Sequence, residues 1–284
     1  MLKTRVISGV VGSILLFITV FLGKISLSVG VFLIGLIGVF EFYNAVSNVG
    51  YKPLRFVGYI SCIPIILIGL NGGNESIRDY LALIRSTNYI LMALFLVVVA
   101  LLSIIVFFHE KHNIVDVSLT VFGALYIPFL LYFIVLTRNL EHGFYYLWLI
   151  FIGAFATDIF AYFSGKLFGK NKLLPAISPK KTLEGSAGGI LGCMVLTYIY
   201  GLFINAMITS EGSAAIPAYH FMILGALNGI IAQVGDWSAS AIKRFSRLKD
   251  FGNIMPGHGG VLDRFDSILF VAPTVFFYLS LIVF

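Results

Sequence analysis

Four aspartates and a group of lysines and arginines in the C-terminal half of this chain recur at spacings that put them on shared helical faces. Asp158, Tyr162 and Lys166 follow one another at four-residue intervals, a face that leads from an apolar run to a basic connection. In GDWSASAIKRFSRLKD, Asp236, Ser240, Lys243 and Arg247 fall in one narrow arc, with the carboxylate deep and the cations shallow. In MPGHGGVLDRFDS, Met255 to Ser267, Asp263 and Asp266 share one side of a helix start, where the dipole favours negative charge. Asp263 by itself also reads as an ordinary N-cap. Two same-face carboxylates, with Asp236 and Asp158 at similar depth, repel unless a cation sits among them. Hard oxygen ligands with room for phosphate oxygens suit Mg²⁺ better than Zn²⁺.

The anion-handling groups stand beside these acids. Lys180 and Lys181 follow Ser178 and Pro179, and Thr182 suits an N-cap ahead of a glycine-rich helix start. A helix N-terminus flanked by lysines is an anion site; the structural alternative is ordinary positive charge at a membrane surface. Gly257, Gly259 and Gly260 let the backbone come close to a ligand and turn its N–H groups toward an anion. An acid at depth below a rim of cations suits a metal-bound polyphosphate.

The elements that must hold these groups are membrane helices. Hydrophobic residues make up 59% of the 284 residues and charged residues 11%, with a mean hydropathy of +1.00, far from a soluble globular domain. Only helices or closed barrels satisfy their backbone in lipid, and nine apolar runs are long enough for helices. They cover about 5–23, 25–45, 56–71, 88–108, 117–136, 143–165, 185–207, 218–242 and 263–284; the third is short and carries Pro64. The fold class expected is therefore an all-α polytopic membrane protein, a single integral membrane domain over 1–284. Residues 1–140 read mainly as scaffold and 141–284 as catalytic helices and loops.

The net charge of +6 points to no nucleic acid, because the positions of the charges matter more than their sum. With the N-terminus in the cytoplasm, all basic residues but Lys24, Arg78, Arg85 and Arg138 lie on the inner side, and nine spans put the C-terminus outside. The first run is long and lacks a small-x-small cleavage site, so it reads as an uncleaved span. Cys62 and Cys193 lie in apolar runs and read as packing residues. Glu41, near the cytoplasmic end of the second span, is a functional candidate by depth, with snorkelling to the interface the blander account. The stretch SEGSAAIP, around 210–217, reads as an outer loop without chemical content. No internal repeat supports a transporter of two inverted halves.

The segment SAIKRFSRLKDFGNIMPGHGGVLDRFD, Ser240 to Asp266, resembles the signature of the phosphatidate cytidylyltransferases, with KR, KD, P-x-HGG and DR-x-D in fixed spacing. Met255 stands where Leu, Ile or Phe is expected. Asp158 to Gly165, SPKKTLEG at Ser178 to Gly185, and Gly235 with Asp236 resemble the same family, so the likeness covers the last half in detail. It implies that CTP and phosphatidic acid are the substrates and that CDP-diacylglycerol and pyrophosphate are the products. Mg²⁺ is the implied cofactor, with room for a second cation, and Asp236 and Asp263 are its implied ligands with Asp266 close by. Lys243 and Arg264 are then the catalytic cations. Lys180, Lys181, Arg244 and Lys249 handle phosphates, and Ser178, Ser240, His258, Gly259, Gly260, Asp158 and Lys166 complete the substrate-binding set. The implied setting is the cell membrane with the site facing the cytoplasm, and the assembly allowed includes a homodimer.

His258 is not required as a base: the second pKa of a phosphate monoester is roughly 6, so the nucleophile is already largely dianionic at neutral pH. A CTP-dependent lipid-alcohol kinase is the nearest rival, but the signature from Lys243 to Asp266 argues against it. A CDP-alcohol phosphotransferase needs a D-G-x-x-A-R core that the sequence lacks. An ion-coupled transporter has no need of HGG with clustered lysines at the rim.

Overall fold

The computed structural model describes residues 2–70 and 87–283, so Arg78 and Arg85 lie outside the described residues. The chain divides into two compact units. One comprises Met1–Val135 and Phe251–Val261, the other Leu136–Asp250 and Leu262–Phe284.

The first unit holds α1 (Leu2–Phe21), α2 (Lys24–Ser47), α3 (Arg55–Ile60), α4 (Ile63–Leu70), α5 (Thr87–Phe107) and most of α6 (Ile114–Asn139). The apolar run that carries Pro64 is broken into α3 and α4, with the proline in the first turn of α4, where its missing N–H costs nothing. Asn113 opens α6 with a capping box: its side chain accepts from the N–H groups of Val115 and Asp116, and Asp116 accepts from the N–H of Asn113. Pro128 lies inside α6, and the helix widens there into a π-turn over Leu125–Phe129. The phenol of Tyr43 on α2 is fully buried and donates to the carbonyl of Thr120 on α6 at 2.9 Å. Gly58 and Gly123 leave the space that its ring fills.

The second unit holds α7 (Gly143–Phe168), an antiparallel hairpin of β1 (Lys172–Leu174) and β2 (Ser178–Thr182), α8 (Leu183–Ser210), α9 (Ala218–Phe245) and α10 (Leu262–Val283). Its helices approach through small residues: Gly189 of α8 lies against Thr157 and Ala161 of α7, and Gly225 and Gly229 of α9 lie against the α8 backbone at Met194 and Ile190. The glycine-rich α8 is thus used for internal packing. Thr182 caps α8, its hydroxyl accepting from the N–H of Gly185 at 3.1 Å. The SEGSAAIP stretch, read from sequence as an outer loop without chemical content, carries a structural clasp. His142 sits between Glu211, 2.8 Å from Nδ1, and Ser213, 2.8 Å from Nε2.

Among the described residues the protein is all-α but for the hairpin. Among the described residues six helices, α2 and α6 to α10, are long and apolar enough to cross a membrane. The other three apolar runs correspond, among the described residues, to shorter helices at Ile7–Phe21, Arg55–Leu70 and Leu91–Phe107. Cys62 and Cys193 are buried free thiols, as their apolar surroundings indicated.

Candidate active site

A cavity of about 420 Å³ opens within the second unit between α7, the hairpin, the start of α8 and the C-terminal half of α9. Its walls contain Asp158, Tyr162 and Lys166 from the single face of α7 that their spacing indicated. The hairpin adds Ser178, Lys180 and Lys181, and α9 adds Gln233, Asp236 and Trp237. Asp158 is an exposed side chain on this cavity rather than a packed acid. The acid faces this opening and the charges of Lys181 and Arg264 from neighbouring elements.

Each half of the acid–cation pattern finds the other. The Lys181 ammonium of β2 contacts the Asp236 carboxylate of α9, both side chains being 26% exposed. Lys181 also lies 5.9 Å from the centroid of the Trp237 ring. Two turns further along the same face of α9, Lys243 donates to Asp263 at 2.7 Å, and the Asp263 side chain is only 2% exposed. Ser240 reaches back to Asp236 at 3.5 Å, one helical turn away. Asp266 is buried one turn beyond Asp263, and Asp158, Asp236 and Asp266 interact through their charges. Gly235 makes this closeness attainable, because a Cβ there would stand 2.5 Å from the Asp266 carbonyl.

The hairpin that carries the lysines is tied down at its base. Glu184, in the first turn of α8, accepts from the N–H of Lys170 at 3.1 Å and the N–H of Asn171 at 3.2 Å. It also accepts from the Asn171 amide at 2.9 Å. Arg244 is exposed at the end of α9 and donates to the carbonyls of Ile177 and Leu248, both at 3.3 Å. Lys249 and Arg264 are exposed. Arg247 does not share the arc expected of it. Helix α9 ends at Phe245, and Arg247 takes the left-handed conformation at φ 56°.

The glycine loop, with His258, Gly259 and Gly260, belongs to the first unit. Met255 and Gly259 face each other across a bridge, and His258 N–H donates to the Met255 carbonyl at 2.9 Å. Proline and then glycine at the two central positions, with Gly257 at φ 78°, fit a type II turn. Gly259 is also left-handed, at φ 87°. The His258 ring lies 2.7 Å from the Ser8 hydroxyl through Nδ1, and that hydroxyl donates to the Pro256 carbonyl at 3.0 Å. Helix α1 therefore reaches this loop.

Glu41 does so as well. It does not snorkel: it is 1% exposed and accepts from the N–H of Val261 at 2.9 Å. Gly252 and Gly260 make room for its carboxylate, since a Cβ on either would stand about 2.5 Å from it. Sequence reasoning gave no part to Gln233, Trp237 or Glu184 as site residues. The signal for Trp237 was its place next to Asp236 in an apolar run, and its indole N–H is buried without an acceptor among the described residues.

The chain matches the description "Cytidylyltransferase family" over residues 3–282. It is 33% identical over 281 residues to the phosphatidate cytidylyltransferase of Bacillus subtilis, a match covering 99% of this chain and 98% of that protein. It is 31% identical over 273 residues to the enzyme of the same name from Staphylococcus epidermidis, with 96% of each covered. A shorter match to that of Thermotoga maritima reaches 41% over 125 residues, 44% of this chain and 45% of that one.

Proposed function

This chain belongs to the cytidylyltransferase family, and from that premise we propose how its residues move the cytidylyl group of CTP onto the phosphate of phosphatidic acid. The protein is an enzyme, a nucleotidyltransferase; its product is CDP-diacylglycerol and pyrophosphate leaves. The observation that carries the site assignment is the α7–hairpin–α9 cavity, which gathers Lys166, Lys180 and Lys181 beside Asp158 and Asp236 among apolar helices.

An oxygen of the lipid phosphate attacks the α-phosphorus of CTP as the bond to the β-phosphate oxygen breaks in line. The lipid phosphate arrives as a dianion at neutral pH, its second pKa being roughly 6, so no proton is removed and His258 is not a base. The protein's work is positioning and charge neutralisation. Lys180, Lys181 and Lys166 hold the triphosphate from the cavity wall, with Ser178 and Ser240 as further donors. Lys243 and Arg264 balance the charge that builds on the transferred group, and Arg244 and Lys249 draw in phosphates at the surface. The backbone of Gly259 and Gly260 supplies N–H groups to an anion.

Asp236 and Asp263, with Asp266 nearby, are the residues that would hold Mg²⁺, and a second cation suits the same oxygen donors. Among the described residues no three acidic, histidine or cysteine side chains close a ligand set of their own. What supports Mg²⁺ is the oxygen chemistry of these carboxylates, since the ion keeps several waters and takes one or two carboxylates together with substrate phosphates. The ammoniums on Asp236 and Asp263 mark both as places where positive charge is accepted. When bound, the ion neutralises the triphosphate and the departing pyrophosphate.

The nine apolar runs and the gathering of basic residues on one side of them support a cell-membrane protein of nine crossings with the N-terminus and the site on the cytoplasmic side, where CTP is found. The reading is tested by giving the protein in detergent phosphatidic acid, Mg²⁺ and CTP labelled at the α or the γ phosphate. The expected result is α label in the lipid. Gamma label in an added lipid alcohol would instead make the protein a kinase.

A further inference from the structure

We propose that Glu41 is a positioning residue: its carboxylate, at the end of α2, fixes the glycine loop and through it the start of the helix that carries Asp263. A carboxylate closed off from solvent is costly unless it is hydrogen-bonded. At 1% exposure Glu41 meets that cost by accepting the N–H of Val261 at 2.9 Å. Val261 lies one residue after Gly260 and two before Asp263 in the chain. Displacing its N–H therefore moves the loop backbone on one side and the first turn of α10 on the other.

Two glycines show that the loop is shaped to this acid. A Cβ on Gly260 would stand 2.5 Å from Oε1 of Glu41, and one on Gly252 2.6 Å from the same atom. The absence of a side chain at Gly260, which the sequence suggested was for a ligand, admits the carboxylate of Glu41. Gly259, at φ 87°, is the residue whose backbone needs glycine. The middle of the loop is held by Ser8 on His258 and Pro256. The loop is thus held at its two ends by α2 and at its centre by α1.

The proposal rests on the reading of the loop as part of the cytidylyl-transfer machinery, so the test separates the two. The wild-type protein, Glu41→Gln and Gly260→Ala are purified in detergent and checked for the same elution volume. Amide hydrogen exchange is followed over 252–261, and turnover per folded protein is measured against CTP and phosphatidic acid. Glutamine keeps the size of the side chain but sets an amide donor among backbone donors. Expected are exchange at least tenfold faster over 252–261 with α6 unchanged, and a fall in kcat of about tenfold or more, the scale of one charged hydrogen bond. Gly260→Ala should do the same with Glu41 intact. A purely structural acid would lower the yield of folded protein and leave kcat alone.

Unchanged exchange in both variants overturns the tie. Faster exchange with unchanged kcat overturns the role in positioning for catalysis. A wild-type protein that makes no CDP-lipid overturns the functional reading instead, and the exchange result still decides whether Glu41 holds the loop.

Discussion

Lys243 of α9 holds Asp263 of α10 across 20 residues of sequence, Nζ 2.7 Å from Oδ1, with the acid almost closed off from solvent. Breaking a buried pair from one side costs about 3–5 kcal/mol. Lys243→Met should therefore lower the melting temperature measurably, while Asp263→Asn, which removes the buried charge, should lower it less. Both should lose cytidylyl transfer by at least about a hundredfold if they balance charge in the reaction. The double variant should recover melting but not activity. Recovery of both would make the pair purely structural.

Lys180 and Lys181 are neighbours with different surroundings. Lys180 is exposed, so its attraction for CTP is screened by salt; Lys181 is half-buried against Asp236 and Trp237. Lys180→Met should raise KM for CTP at low salt and cease to matter near about 0.5 M salt, where the Debye length falls to a few ångströms. Lys181→Met should raise KM at every salt concentration. Identical salt dependence in the two variants would sink this distinction.

The nucleophile sets the acid side of the pH profile. As pH falls through about 6 the lipid phosphate gains a proton and loses its dianionic form, so kcat/KM should fall there and stay level above about 7. His258→Asn should lower the rate by loosening the loop, yet keep the shape of the profile. Disappearance of the acid limb in that variant would return His258 to the role of base.

Glu184 ties the chain before β1 to the first turn of α8 through three hydrogen bonds. Glu184→Ala should free the hairpin, raising KM for CTP several-fold with kcat little changed, and should speed amide exchange at Lys170 and Asn171. Unaltered exchange at those two amides would show that the clamp is not what holds the hairpin.

Chelation is the direct check on Asp236 and Asp263 as metal ligands. EDTA should abolish transfer and added Mg²⁺ should restore it. Asp236→Asn should need more Mg²⁺ for half-maximal rate, the expected sign for the loss of one charged ligand from an open site. Full activity in EDTA would remove the metal from the account.

Local features of the site were legible in the sequence because they are carried by helical spacing. The face of Asp158, Tyr162 and Lys166 lines the cavity, Thr182 caps α8, and Ser240 reaches Asp236 one turn away. What the sequence concealed depends on contacts between distant segments. Strands of three and five residues, rich in lysine, have too little alternation to announce a hairpin. The partners of Asp236 and Asp263 were invisible for the same reason, since spacing says which residues share a face but not what that face meets. Arg247 left its arc because the helix frays before it, and helix ends are the least certain part of any periodic pattern. Glu41 was visible as an acid in an apolar run, but its purpose lies in Val261, 220 residues further on.

That separation has a consequence for biogenesis. A chain made from its N-terminus inserts α2 early, with an acid at the end of an otherwise apolar helix, and the Val261 N–H that answers it emerges only after 220 further residues. The contact is among the longest-range in the molecule and closes late. Until then the Glu41 carboxylate waits for its backbone donor, so α2 reaches its finished environment only once the loop over 252–261 has been made.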